Sequence, residues 1–159
     1  MNRFSATASF IRIPRLVAGC VRSLRAKRPA AIQKGTRKRR VLLVDDESAL
    51  TMICKLMLEQ TDSFVVQVEN LGERALSTAQ SFRPDVIFLD IHLPDKGGHA
   101  IAGDLKADLQ LRDVPIVFWS GSVQRKTDVV ANSHGCWPAL PKPFSSAELT
   151  ELATNPSYQ

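Results

Sequence analysis

Beyond residue 40 the chain alternates short, uninterrupted apolar runs with stretches whose apolar residues recur at helical spacing. Val41-Leu42-Leu43-Val44 is one such run and ends in acids. Over residues 48–60, Leu50, Ile53, Leu56, Met57 and Leu58 then follow at the steps of a helix. The same reading predicts strands over residues 64–68, 86–89 and 114–119, and a short fifth over 137–140. Helices are predicted over 72–81, 98–109, 123–132 and 145–153, the last stopped by Pro156. Strands that are apolar throughout belong to parallel sheets covered on both faces, and strict strand–helix alternation builds them through right-handed crossovers. The expected architecture is therefore α/β: a doubly wound, five-stranded parallel sheet with helices on both faces.

In such sheets the working site lies beyond the carboxyl ends of the strands, near the point where strand order reverses. The polar residues there are Asp45 and Asp46 after the first strand, Asp90 after the third, Ser120 after the fourth and Lys142 after the fifth. Three carboxylates on one edge repel by several kcal/mol if poorly solvated, so they need either a cation between them or raised pKa values, and a hard divalent ion is the natural remedy. Mg²⁺ suits the place, since it takes one or two carboxylates, a carbonyl oxygen, waters and an incoming phosphate. A carboxylate there can attack phosphorus and form an acyl phosphate. Lys142 and the Ser120 hydroxyl would then face the phosphoryl oxygens, and Gly121 leaves room for close backbone approach. Singly, each feature has a bland reading: Asp46 or Glu47 as a helix cap, Ser120 as a loop serine, Lys142 as a solvated lysine. Their joint placement at strand ends carries the chemistry.

These residues resemble the response-regulator receiver domains of two-component signalling. Val41 to Glu47 is similar to the family's first strand and acidic pair, and Val86 to Gly98, reading VIFLDIHLPDKGG, to its phosphoacceptor strand and loop. Pro115 to Gly121 and Lys142-Pro143-Phe144 are similar to its last two motifs, at intervals of 44, 30 and 22 residues from Asp46 through Asp90 and Ser120 to Lys142. The resemblance covers residues 39–155, and four motifs in register are far more specific than one. It implies the flavodoxin-like arrangement of a stand-alone, CheY-like receiver. Asp90 is the implied phosphoacceptor, Ser120 and Lys142 its catalytic partners, and Asp45, Asp46, Asp90 and the His92 backbone carbonyl the ligands of Mg²⁺, with Mn²⁺ a substitute. A cis Lys142–Pro143 peptide is implied as well. The implied partners are a sensor histidine kinase or histidine phosphotransfer protein as donor and a downstream protein as reader, in a bacterial cytoplasm. The chain would be a phosphorylation-controlled binding module without an output domain, catalysing only its own phosphotransfer and autodephosphorylation. One departure stands out: Ala139 occupies the position of the family's switch aromatic, with Pro138 and Pro141 beside it. Trp137 is either a substitute for that ring or a core indole. His92 is either a hydrogen-bond donor over the phosphoryl site or a surface histidine.

Charge divides the chain into an arm over residues 1–38 and a domain over 39–159. The first 40 residues hold 12 of the 21 Lys and Arg and none of the 16 Asp and Glu, and the remainder stands at −7. The overall +5 therefore does not describe one basic surface made for nucleic acid. Within the arm, Phe10, Ile13, Val17, Val21 and Leu24 recur at three- and four-residue steps with Arg12, Arg15, Arg22 and Arg25 off the stripe. That pattern suits either a basic amphipathic helix, giving peripheral membrane contact through residues 10–28 or docking on a partner, or a disordered segment. The run from Leu16 to Cys20 looks like a lipoprotein cleavage box, but Arg12 and Arg15 break the apolar core it needs. Cys20, Cys54 and Cys136 fit neither a disulfide framework nor a zinc site.

Two other functions compete. Aspartyl-phosphate phosphatases of the haloacid-dehalogenase kind use a similar sheet and nucleophile, but they need an acid two residues after it, where this chain has His92. A nucleic-acid binder acting through the arm would need stacking aromatics or a recognition helix, and the arm offers neither.

Overall fold

A computed structural model describes residues 37–122, 129–132 and 135–156. In chain order the elements are β1 (Arg39–Val44), α1 (Ser48–Glu59), β2 (Phe64–Glu69), a 3₁₀ turn (Gly72–Arg74) leading into α2 (Ala75–Phe82), β3 (Val86–Asp90), α3 (Gly98–Ala107), β4 (Ile116–Ser120), β5 (Val129–Asn132), β6 (Gly135–Pro141) and α4 (Ser146–Thr154). The sheet order is β2-β1-β3-β4-β6-β5. Its first five strands run parallel, and β5 adds to β6 in antiparallel sense. Strand order turns back at β1 and β3, whose carboxyl ends carry Asp45 and Asp90.

Alternate residues of each central strand feed two cores. Leu42, Val44, Ile87, Leu89, Ile116 and Phe118 face α2 and α3, where Ala75, Ala79, Ile101, Ala102 and Leu105 meet them. Val41, Leu43, Val86, Phe88, Val117 and Trp119 face α1 and α4, meeting Cys54, Leu58, Leu149 and Leu152. Both faces being covered, the strands need no polar side, and β1, β3 and β4 read as continuous apolar runs.

Two elements differ from the sequence pattern. The helix expected over 123–132 is not what its second half forms: residues 129–132 are strand β5, paired from Val129↔Pro138 to Asn132↔Gly135. Adjacent β-branched Val129 and Val130 favour a strand, and the pairing closes across only two residues, a hairpin spacing. Residues 123–128 lie outside those described. The second difference is the face α1 turns inward. Thr51, Cys54 and Leu58 are its buried residues, whereas Ile53, Leu56 and Met57 point outward. Thr51 and Cys54 are small enough to let the helix approach the sheet.

β1 also starts at Arg39, before the apolar run. The Arg39 N–H donates to the Ser63 carbonyl at 2.8 Å, the Asp85 N–H donates to the Arg40 carbonyl at 2.8 Å, and the Arg40 N–H donates to the Asp85 carboxylate at 2.8 Å. The Arg40 guanidinium lies 4.6 Å over the Phe82 ring, so its charge stays at the rim while its stem covers the core. At the other end Ser145 caps α4 in a full capping box with Glu148.

Gly98 opens α3 where a Cβ would stand 2.1 Å from the Asp90 carbonyl oxygen. No flexible side chain can yield there, because the obstacle is backbone. Gly98→Ala is therefore expected to lower stability by roughly 2–3 kcal/mol, read from urea unfolding. Cys54 gives a second check. Burial pushes its thiol up to about 11, with the Asp45 charge adding and Lys142 opposing. Only roughly one thiol in a thousand is then ionised at pH 8, and iodoacetamide should leave Cys54 unmodified in the folded chain and modify it in urea, as peptide mass mapping will show.

Candidate functional site

Parallel strands deliver their carboxyl ends to one side of the sheet, so Asp45, Asp90, Ser120 and Lys142 gather there although up to 97 residues separate them. Asp45, Asp90 and Ser120 are 1 %, 5 % and 1 % exposed. Lys142 reaches in from beyond β6, and its Nζ donates to Asp45 Oδ2 at 2.5 Å and to Asp90 Oδ1 at 3.2 Å. Each carboxylate has a second donor, the Glu47 N–H to Asp45 Oδ1 at 2.9 Å and the His92 N–H to Asp90 Oδ2 at 2.8 Å. Both acids are thus oriented by one backbone amide and one shared ammonium. Asp46 is exposed, and among the described residues no three His, Cys, Asp or Glu side chains form a group that could hold a metal ion.

The lysine is held as carefully as the acids. Its backbone N–H donates to the Ser120 carbonyl at 3.0 Å, and the Lys142–Pro143 peptide bond is cis. The Nζ lies 5.5 Å from the centre of the Trp119 ring, within cation–π range. Trp119 in turn stacks on Phe144 at 5.6 Å and donates its indole N–H to the Val44 carbonyl at 3.3 Å. The indole therefore forms the floor under the lysine stem and ties the ends of β4 and β1 together.

Burial pushes the Asp45 carboxyl above its ordinary value. Its hydrogen bonds from Lys142 and the Glu47 N–H pull the other way, and the Asp90 charge adds to the rise. Burial also works against the Lys142 ammonium, but the hydrogen bonds and charges of Asp45 and Asp90 outweigh it and hold the group above its ordinary value. Two carboxylates and one ammonium leave the cluster one negative charge in excess. The donors are all hard oxygens, and the excess charge favours a small divalent cation.

Three neighbours of the site were not singled out in the sequence. Ser122 Oγ stands 3.0 Å from Ser120 Oγ and 3.1 Å from His92 Nε2, so a His92–Ser122–Ser120 chain borders the acids. Its sequence signal is only its place two residues beyond Ser120. Asn70 donates to the Asp45 carbonyl at 2.6 Å and to Thr51 Oγ1 at 3.1 Å, pinning the backbone that carries Asp45. Asn70 follows the end of β2, the one strand whose end the sequence reading left out. Trp119 was assigned to a strand only. Elsewhere Trp137 is 4 % exposed and packs edge-on against Phe118 at 5.4 Å, so it is a core indole, and Ala139 beside it is fully buried. The basic stretch 10–28 and His134 lie outside the described residues.

Residues 41–154 match the response regulator receiver domain family. Curated relatives include the cell cycle response regulator CtrA of Brucella ovis and of Brucella canis, each 34% identical over 110 residues, which cover 69% of this chain and 46% of theirs. The chain spans about half the length of the curated relatives it matches. Among solved structures, the receiver domain of sensor histidine kinase PA1611 from Pseudomonas aeruginosa, determined with a magnesium ion coordinated in its active site cleft, aligns with a TM-score of 0.64 at 26% identity, over 74% of this chain and 96% of that one. A CheY-like receiver domain from Methylobacillus flagellatus aligns with a TM-score of 0.62 at 26% identity, over 74% and 98%. The chemotaxis response regulator CheY4 of Vibrio cholerae shares the fold, with a TM-score of 0.64 at 24% identity over 74% and 98%.

The charge excess predicts opposite effects for its two kinds of member. Lys142→Met leaves two buried carboxylates without their cation and should destabilise the metal-free chain by several kcal/mol. Asp45→Asn leaves Lys142 and Asp90 as a matched pair and should stabilise it at pH 7. Because folding raises the Asp45 pKa, ionised Asp45 costs stability above its ordinary range, and that cost fades as acid protonates it. The gain from Asp45→Asn should therefore be full at pH 7 and shrink toward pH 4, as thermal melts at the two values will reveal.

Proposed function

The chain belongs to the response regulator receiver family of two-component signalling proteins, and we propose that Asp90 is its phosphoacceptor, taking a phosphoryl group from the phosphohistidine of a kinase or phosphotransfer protein. The observation that carries this reading is the Lys142 ammonium shared between Asp45 and Asp90 beside the buried Ser120 hydroxyl. A carboxylate oxygen of Asp90 attacks phosphorus, the P–N bond to the donor imidazole breaks with its electron pair leaving on nitrogen, and an acyl phosphate results. Asp90 gives up its charge to that bond while Lys142 keeps Asp45 as partner, so the ammonium stays in place to neutralise the new phosphoryl oxygens. Ser120, now engaged with Ser122, has a hydroxyl free to turn and donate to one of them. The His92 N–H keeps Asp90 oriented throughout.

Asp45, Asp90 and the His92 carbonyl, with Asp46 from the rim, are the groups that would hold Mg²⁺ or Mn²⁺; in the PA1611 receiver domain a magnesium ion is coordinated in the active site cleft. Bound there, the ion supplies further neutralisation of phosphoryl charge. The position two residues after Asp90, where a phosphatase of the haloacid-dehalogenase kind places its acid, is occupied here by His92, whose ring is engaged with Ser122. The phosphorylated surface then serves as a binding signal for a downstream protein.

Incubation with acetyl phosphate and Mg²⁺ should add one phosphoryl mass, labile to hydroxylamine, that Asp90→Asn abolishes and chelation of the metal prevents. Persistence of that mass in Asp90→Asn would remove Asp90 as the acceptor.

A further inference from the structure

Helix α1 is apolar on two sides. Its inward residues are Thr51, Cys54 and Leu58. Facing outward are Met52, Ile53, Leu56 and Met57, which remain 54 %, 50 %, 56 % and 38 % exposed. At steps of one and four residues they form a continuous strip along two turns. Single exposed apolar residues are ordinary, but a contiguous strip marks a binding surface. Beside Met57 it opens into a groove walled by Ser146, Ala147, Thr150 and Glu151 of α4. The surroundings are acidic: Asp46 and Glu47 are exposed at the head of α1, Glu148 and Glu151 lie along α4, and the one cation of α1, Lys55, sits 3.9 Å from Glu59. Neither helix has a basic residue in its last turn to meet its carbonyl end.

The occupant that matches this surface is carried by the chain itself. Phe10, Ile13, Val17, Val21 and Leu24 recur at three- and four-residue steps with arginines between them, so that as a helix they would make an apolar stripe, in a segment with no acid at all. Residues 1–36 lie before the described domain, which they join at the foot of β1. There the Arg39 N–H donates to the Ser63 carbonyl, four residues past the end of α1. The arm therefore enters at the same end of the sheet at which α1 finishes. The 12 residues of 25–36 span up to about 40 Å, against a helix α1 of about 18 Å. Such a tether sets an effective concentration on the order of millimolar, well above that of a second copy in a dilute solution.

We infer that residues 10–24 dock in cis on the outward strip of α1 and its groove against α4, covering the face whose head is Asp46. The inference stands apart from phosphorylation of Asp90 and is tested without it. The chain has three methionines, Met1, Met52 and Met57, so methyl labelling of methionine reports on the strip directly. A nitroxide placed through Ser23→Cys, off the stripe, in a Cys20→Ser, Cys136→Ser background leaves the buried Cys54 unlabelled. Docking is expected to remove most of the Met52 and Met57 peak height at every protein concentration. Val17→Asp with Val21→Asp, changes confined to the arm, should restore the peaks, and so should Leu56→Asp at an exposed position. Peaks of full height in the unsubstituted arm overturn the inference. So does broadening that fades on dilution and appears in unlabelled chains mixed with labelled ones, which assigns the strip to a second copy. Full-height peaks with the nitroxide immobilised on anionic vesicles would overturn it in favour of a membrane.

Discussion

Two carboxylates buried at the ends of adjacent strands repel strongly, and in this fold a single ammonium reconciles them. Lys142 does so from two strands away. Its stem crosses the end of β4 over the Trp119 ring and its Nζ arrives between Asp90 at the end of β3 and Asp45 at the end of β1. A shorter side chain would not cross, and a planar guanidinium would not offer a compact charge to two separate acids. The order of the strands, the indole floor and the bond that fixes the Lys142 backbone to Ser120 all serve that reach. Since one positive charge meets two negative ones, the metal-free cluster is left under-neutralised, and stability is given up there for a site receptive to cations.

Much of this was legible in the sequence because parallel sheets obey strict rules. Continuous apolar runs such as Val41 to Val44 and Val86 to Leu89 require cover on both faces, and the two cores supply it. The same rule sends the residue after each run to one edge, which is how Asp45, Asp90, Ser120 and Lys142 were picked out together. What failed was local. Residues 129–132 carry too little periodicity to separate helix from strand, and their pairing depends on β6, which no local pattern reveals. Asn70 was passed over because a carboxamide after a strand looks like any turn residue, and its use becomes visible only when β1 lies beside β2. Trp119 was hidden for another reason: the strand pattern places an indole in the core without showing which charge rests on it.

The family resemblance and the structure diverge most usefully at β6. Ala139 is fully buried where the family carries a switch aromatic, and Trp137, two residues earlier on the same strand face, fills the core against Phe118. An aromatic that reorients must have somewhere to go, and an indole closed in at 4 % exposure has no such room. If Asp90 is phosphorylated as proposed, the groups placed to respond are those near the acids, such as the His92–Ser122–Ser120 chain, rather than a ring swinging between core and surface.

Helix α1 shows how an apolar pattern can be read correctly as helix and wrongly as to face. Its inner side is lined by Thr51 and Cys54 because a helix packed close over a sheet wants small residues at the contact, and Thr51 also accepts a hydrogen bond from Asn70, whose other bond goes to the Asp45 carbonyl. The large residues that a hydrophobicity count assigns to the core, Ile53, Leu56 and Met57, are left outside. Exposing them adds nothing to the packing of the folded domain and raises its tendency to associate, so this strip is surface that the core does not account for. The domain core is complete without them. The same strip that misled the sequence reading is therefore the feature of the surface that the fold does not require.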